Sequence, residues 1–298
     1  MAEKHTIAPA RRGLAKRILF RILKFLVGLA LLLAAVWGGF TLSAKGQSFT
    51  ETFYQVQSDK LTSNVRIVQL SDLHLREFGE NNSELVAQIT ALQPDIIAIT
   101  GDMTDKLVDD YSIVTSLCAQ LVEIAPVYYV PGNHEWGKIV FDHSAIRSDL
   151  EALGVHFLAD KTETLEVNGN TIAIGGIAEA PASYEKYASE YFEGFEQLDC
   201  FKLLLVHYPE YFTEDGALTN AQVDLALCGH THGGQIRIPG IGGLYTPDQG
   251  FLPKMTEGVH RVGSAYVIIS RGLGDGKDKI IPRINNAPEL VVVDLNWY

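Results

Sequence analysis

Ile67-Val68-Gln69-Leu70-Ser71-Asp72-Leu73-His74 is a short apolar β-run that stops at two side chains able to bind a metal. The same arrangement returns four times: IIAITGD at 96–102, VYYVPGNH at 127–134, KLLLVH at 202–207 and LALCGHTH at 225–232. Helical patterns separate the first runs. One covers Ser83–Leu92 and is closed by Pro94; another covers Tyr111–Ile124, with Ile113, Leu117, Leu121 and Ile124 at helical spacing; a third ends near Leu153-Gly154. Strands alternating with helices predict βαβ units and an α/β fold.

Outward from this centre, Phe49–Val56 alternates like a strand. Asn168-Gly169 marks a hairpin between Thr164–Val167 and Thr171–Gly175, because both positions of that turn favour residues that tolerate positive φ. Tyr184–Phe192 reads as a helix, and Phe201–Val206, Val223–Leu227, Tyr266–Ser270 and Leu290–Leu295 as further strands. No internal repeat or low-complexity tract interrupts one α/β domain. The expected organisation is a basic segment at 1–24, an apolar span at 25–44, a connector with the first strand at 45–60, and the domain proper at 61–298.

Sites in α/β sheets form outside the carboxyl ends of the strands, where loops from several strands converge. A lone histidine is usually structural, but five polar strand ends in one chain predict one site. Asp72, His74, Asp102, Asn133, His207, His230 and His232 offer carboxylate, amide oxygen and imidazole without sulfur, a set suited to Mn, Fe, Zn or Co. Seven donors are too many for one tetrahedral ion and sufficient for two if a carboxylate bridges. In an extended segment residues i and i+2 point the same way, so Asp72/His74 and His230/His232 are each expected to turn two ligands into one cleft. Two divalent ions against two aspartates leave a net charge of about +2, or +1 with a bridging hydroxide, which favours a compact anion and displacement at phosphorus by metal-activated water.

Asp-x-His, Gly-Asp, Gly-Asn-His, His and Gly-His-x-His, in this order, resemble the calcineurin-like metallophosphoesterase family across about residues 62–298. The resemblance implies a four-layer α/β/β/α sandwich with two mixed sheets. It implies a first ion on Asp72, His74 and His232, a second on Asn133, His207 and His230, and Asp102 bridging them. His134 matches the family's non-ligand histidine, which stabilises the transition state or protonates the leaving group. Glu135 stands where many relatives have Asp, with no role assigned. The string GHTHGGQ (229–235), Ser270–Gly274 and Pro288–Val291 resemble a narrower YkuE-like group of anchored or exported bacterial phosphodiesterases. Some family members hydrolyse UDP-2,3-diacylglucosamine. Arg271, between Ser270 and Gly272, is a candidate phosphate contact. A phosphomonoesterase or phosphoprotein phosphatase would use the same site. A non-catalytic metal-binding module would not need all eight residues.

The 298 residues carry a formal net charge of −12, unevenly spread. Residues 1–24 hold seven basic side chains and one acidic, leaving 17 basic and 35 acidic, a balance of −18, for residues 25–298. So negative a body excludes sequence-independent binding of a nucleic acid polymer. Phe25 to Ala44 is 20 residues without a charge, about the 30 Å of a hydrocarbon core as a helix. With the basic cluster before it, this predicts a single-pass anchor with a cytoplasmic amino terminus and an extracytoplasmic domain acting on a lipid-linked or envelope phosphate ester. A cleaved export signal is the alternative, and Arg11-Arg12 resembles a twin-arginine signal. Cys118, Cys200 and Cys228 are too dispersed for a disulfide framework or a cysteine zinc site.

Overall fold

The computed structural model describes residues 16–32, 48–275 and 282–297. The chain forms two compact units, Met1–Gly46 and Gln47–Tyr298. In the first, residues 16–32 are helical (α1). Among the described residues no helix is long and apolar enough to cross a membrane; the expected span at 25–44 runs into residues 33–44, outside the described set.

Among the described residues the second unit contains sixteen strands and six further α-helices. The strands are β1 (Thr50–Gln57), β2 (Val65–Leu70), β3 (Ile96–Thr100), β4 (Val127–Val130), β5 (His156–Phe157), β6 (Lys161–Val167), β7 (Asn170–Ile177), β8 (Phe201–Val206), β9 (Leu225–Cys228), β10 (Arg237–Ile238), β11 (Gly242–Gly243), β12 (Tyr245–Thr246), β13 (Gly250–Phe251), β14 (Gly258–Val262), β15 (Ala265–Ile269) and β16 (Glu289–Asn296). The helices are α2 (Ser83–Leu92), α3 (Ser112–Leu121), α4 (Asn133–Phe141), α5 (Ile146–Ala152), α6 (Tyr184–Tyr187) and α7 (Ser189–Glu196).

Two six-stranded sheets dominate, ordered β1-β16-β2-β3-β4-β5 and β14-β15-β9-β8-β7-β6. Both are mixed. In the first, β2 through β5 run parallel and β16 is antiparallel to β2. In the second, β7, β8, β9 and β15 run parallel, flanked by antiparallel β6 and β14. β1 pairs in parallel along the whole of β16, so the strand within the expected 45–60 connector is an edge strand of the first sheet. Asn168 and Gly169 adopt φ of 51° and 77° at the β6–β7 turn, the double positive-φ geometry expected of Asn-Gly.

The strand period distributes the apolar residues among three cores. Ile67, Ile96, Ala98 and Tyr128 face Leu203, Leu205, Leu225, Leu227 and Ile268 across the two sheets. Val68, Ile97, Ile99 and Tyr129 point the other way, onto Leu85 and Ile89 of α2 and Leu117 and Leu121 of α3. Leu204, Val206, Ala226 and Val267 meet Phe192 and Phe195 of α7 on the second sheet's outer face. The buried stripe of α3 runs through Val114, Leu117, Cys118 and Leu121, one position beyond the expected Ile113. Helices thus cover the outside of both sheets, and the strands that end in polar residues (β2, β3, β4, β8 and β9) direct their carboxyl ends toward one crevice. Gln69 fastens the sheets there, its Nε2 donating to Thr100 Oγ1 (2.9 Å) and to the Cys228 carbonyl (2.8 Å).

Candidate metal centre and active site

Each strand named above hands its donors to the crevice through the loop that follows it. After β2, the Asp72 N–H donates to the Gly101 carbonyl and the His74 N–H to the Asp102 carbonyl, which ties the first two polar loops together. The expected extended geometry does not hold here. Asp72, His74, Asp102, His230 and His232 all have positive φ, between 48° and 71°, so left-handed kinks rather than strand alternation aim their side chains inward. Such conformations cost energy in non-glycine residues and concentrate at functional sites. Gly101 (φ 82°) and Gly132 sit against one another and against Asp102, and a Cβ at Gly132 would overlap the Asp102 carboxylate.

Two donor groups result, and all their members but His230 are almost wholly buried. In the first, Asp72, His74 and His232 offer ligand atoms within 4.8 Å of one another. His74 Nε2 and His232 Nε2 are 3.2 Å apart, and His232 Nε2 is 3.5 Å from Asp72 Oδ1. In the second, Asp102, His207 and His230 do the same: His207 Nε2 lies 3.3 Å from Asp102 Oδ2 and 3.2 Å from His230 Nδ1. Asp102 Oδ2 also faces His74 Nε2 at 3.9 Å, which joins the groups. Asp72 and His232, 160 positions apart, therefore meet.

The surroundings orient the donors. Asp72 Oδ2 accepts from Ser71 Oγ (2.6 Å), and both Asp72 oxygens accept from the His230 N–H (3.1 Å). Asp102 Oδ1 accepts the His134 N–H (2.9 Å), turning Oδ2 to the centre. His207 Nδ1 donates to the Thr100 carbonyl (2.7 Å), which turns Nε2 toward Asp102. His232 Nδ1 lies 3.2 Å from the Gly274 carbonyl and 3.1 Å from buried Arg283 Nη2, which also donates to that carbonyl (2.6 Å). Oxygen and imidazole ligand atoms that converge, without sulfur, fit divalent ions of the Mn, Fe, Co and Zn type.

Without ions, charge is redistributed among the same groups. Burial pulls the His207 imidazole down, but the adjacent Asp102 carboxylate prevails and pushes it up to about 10. Burial pushes Asp102 up, yet the imidazoles of His207, His134 and His74 hold it well below the usual carboxylate range.

His134 also clusters with His74 and Asp102, with Nε2 at 3.8 Å from Asp102 Oδ2. Its Nδ1 accepts the Lys106 backbone N–H (2.9 Å), so the neutral ring carries its proton on Nε2. A protonated nitrogen has no lone pair for a metal. His134 therefore faces the site as a donor. Asn133, the first residue of α4, lies between Gly132 and His134 with an exposed side chain.

Arg271 has other partners. Its Nη2 lies 3.1 Å from Glu289 Oε1, its Nε 3.7 Å from Glu257 Oε2, and its N–H donates to Glu289 Oε2 (2.8 Å). The guanidinium faces two carboxylates that lie 14 residues before it and 18 after it, which a local reading could not pair.

Glu135, left without a role by the sequence, proves structural. It is fully buried, with Oε2 accepting the N–H groups of Asp102 (2.8 Å) and Gly132 (3.0 Å) and Oε1 that of Thr104 (2.7 Å). It staples the loop after β3 to the start of α4. Burial and, next, the Asp102 carboxylate push its acid up, opposed by the three N–H donors. A Glu three residues beyond a helix's N-cap, as in a capping box, was the available signal.

Residues 65–234 match the model of the calcineurin-like phosphoesterase family. The chain is 31% identical over 237 residues to the metallophosphoesterase YkuE of Bacillus subtilis (strain 168), covering 77% of this chain and 78% of that one. It is 25% identical over 235 residues to the phosphodiesterase YaeI of Escherichia coli (strain K12), covering 77% and 82%. A metallophosphoesterase of Aquifex aeolicus (strain VF5) is 27% identical over 255 residues, covering 81% and 90%. With its five polar strand ends gathered on Asp102, the chain belongs to the calcineurin-like phosphoesterase family and is a metal-dependent phosphoester hydrolase.

Proposed function

We propose that this hydrolase binds two divalent ions, of Mn, Zn, Fe or Co, and cleaves a phosphodiester or pyrophosphate bond. The observation that carries the reading is the pair of donor groups joined at Asp102. Asp72, His74 and His232 would hold one ion and His207, His230 and Asn133 the other, with Asp102 contributing at the junction of the two groups. When bound, such ions supply a water nucleophile at neutral pH and stabilise charge on the phosphoryl oxygens.

The chain's own residues position and transfer protons. Asp102 keeps Oδ2 at the junction because Oδ1 is held by the His134 N–H. His134 presents an Nε2–H whose orientation is set by Lys106 N–H on Nδ1, suited to a phosphoryl or leaving-group oxygen. The Thr100 carbonyl engages His207 Nδ1, which points Nε2 inward.

The basic residues 1–24 and the uncharged run 25–44 support a tether to the cell membrane, an extracytoplasmic domain and a lipid-linked or envelope substrate of the UDP-2,3-diacylglucosamine type. The relative YaeI, named as a phosphodiesterase, supports diester over monoester chemistry.

The test is metal analysis of the purified full chain, with rates on bis(p-nitrophenyl) phosphate, p-nitrophenyl phosphate and a nucleotide-sugar lipid. Two ions per chain and preference for the diester or pyrophosphate are expected; one ion, or faster monoester cleavage, rejects the reading. His134→Gln should keep both ions and lose about 10²–10⁴-fold in turnover; unchanged turnover removes His134 from the chemistry.

A further inference from the structure

His207 and His230, in the second donor group, are oriented differently. His207 turns Nε2 inward and donates from Nδ1 to the Thr100 carbonyl. His230 is reversed, with Nδ1 lying 3.2 Å from His207 Nε2 inside the group. Its Nε2 points outward and lies 2.6 Å from Asp248 Oδ2. An imidazole that ligates through Nδ1 must carry its proton on Nε2. Asp248, an acceptor when ionised, is placed to take that hydrogen bond.

A half-exposed aspartate beside a histidine could be a chance contact; this one is built. Asp248 occupies the turn between β12 and β13, and its neighbour Gln249 locks the turn from the other side. Gln249 Nε2 donates to Glu210 Oε1 (2.7 Å) and to the Met255 carbonyl (2.9 Å). Its Oε1 accepts the Met255 N–H, and its N–H donates to Thr246 Oγ1 (3.1 Å). Thr246 is itself buried. The carboxylate therefore sits on a fastened turn, and little freedom is lost when it meets His230.

Resting on the two-ion reading above, we infer that Asp248 is a positioning residue for the second ion. Its carboxylate holds His230 in the Nε2–H tautomer, aims the Nδ1 lone pair into the donor group and raises the basicity of that ligand. Outer carboxylates of this kind are worth about 10- to 100-fold in metal affinity. The effect is expected at one ion, because the His230 ring that Asp248 contacts turns its Nδ1 toward His207 in the second group.

The experiment is stepwise titration of the metal-free full chain with Mn2+, read by calorimetry and by the free-ion electron paramagnetic resonance signal, in wild type, Asp248→Asn and Asp248→Ala. Asp248→Ala should weaken the second ion about 10- to 100-fold and leave the first unchanged. Asp248→Asn, whose amide oxygen still accepts the Nε2–H, should fall between. Long-range 1H–15N correlation spectra of the metal-free proteins provide a readout independent of activity. His230 should be protonated on Nε2 in wild type and lose that preference in Asp248→Ala. Second-ion affinity in Asp248→Ala within about threefold of wild type, or equal weakening of both ions, overturns the inference. A wild-type chain that takes up fewer than two ions overturns the two-ion reading itself, and the inference with it.

Discussion

Glu135→Gln is nearly isosteric, so it changes charge and hydrogen-bond polarity without opening a cavity. The carboxylate accepts three backbone N–H groups, from Asp102, Thr104 and Gly132. A glutamine amide can keep its oxygen toward Asp102 and Gly132 but must then set its NH2 against the Thr104 N–H. One buried donor loses its acceptor, at about 1–3 kcal/mol, and two charge-assisted bonds become neutral ones, at about 1 kcal/mol each. Opposing this, the variant no longer buries a charge beside Asp102, the two influences that push the Glu135 acid up. That relief offsets only part of the backbone loss, and a net loss of about 2–3 kcal/mol is expected. Urea unfolding of metal-free protein measures it. Because the bonded amides belong to Asp102 and to the residue before Asn133, Mn2+ affinity should fall as well. A change below about 0.5 kcal/mol, with Mn2+ binding intact, would refute the staple.

Asp102→Asn should lower the affinity for both ions rather than one, since Oδ2 faces members of both donor groups; inductively coupled plasma analysis after dialysis checks the stoichiometry. Arg271→Ala should cost about 3 kcal/mol by leaving buried Glu289 without its cation. KM should change less than about twofold on a generic diester, whereas a phosphate contact would raise it strongly. In metal-free protein His207 titrates near 10, above the 6.5 of a free imidazole. Its proton therefore stabilises the fold fully below pH 6.5, and that contribution disappears as pH rises through about 10. An ion must displace the same proton, so apparent affinity should rise up to about tenfold per pH unit between 7 and 9, measured by Mn2+ titration in buffers of matched ionic strength.

The parts of this molecule legible from sequence are those encoded by near neighbours. IVQL, IIAIT, VYYV and LALC are strands because apolar residues must leave water on both sides of each sheet, and Asn168-Gly169 fixes its turn by its own φ preferences. The donors were legible because they follow those strands immediately. Other features depend on residues far apart in the chain. Arg271 is paired with Glu257, just before β14, and with Glu289 of β16, and the Asp248–His230 contact spans a segment of two-residue strands with no readable period. The i, i+2 expectation for Asp72/His74 paired two residues that the structure does bring together, but through another geometry. It assumed continued extension, whereas the backbone turns left-handed where the loops bond to one another.

That kinking has a structural logic. The first donor group takes Asp72 and His74 from the loop after β2 and His232 from the loop after β9; the second takes His207 and His230 from the second sheet and Asp102 from the first. Neither sheet can complete a donor group alone, so site geometry is a property of how the sheets are clamped. Gln69 joins Thr100 to Cys228, and His207 donates to Thr100. Both place a hydrogen bond across the gap within a residue or two of the donors. Side chains leaving two opposed sheets can meet at 3–4 Å only if the chain turns sharply as each strand ends. A left-handed residue makes such a turn in one step, at a cost on the order of 1–3 kcal/mol. The close approach of Gly132 to Asp102 and the Glu135 staple hold the turn at Asp102, and hydrogen bonds from Leu273 and Gly274 to the Ser71 and Asp72 carbonyls hold the loop after β2. The strain is thus carried by the surrounding fold, which holds the donors converged.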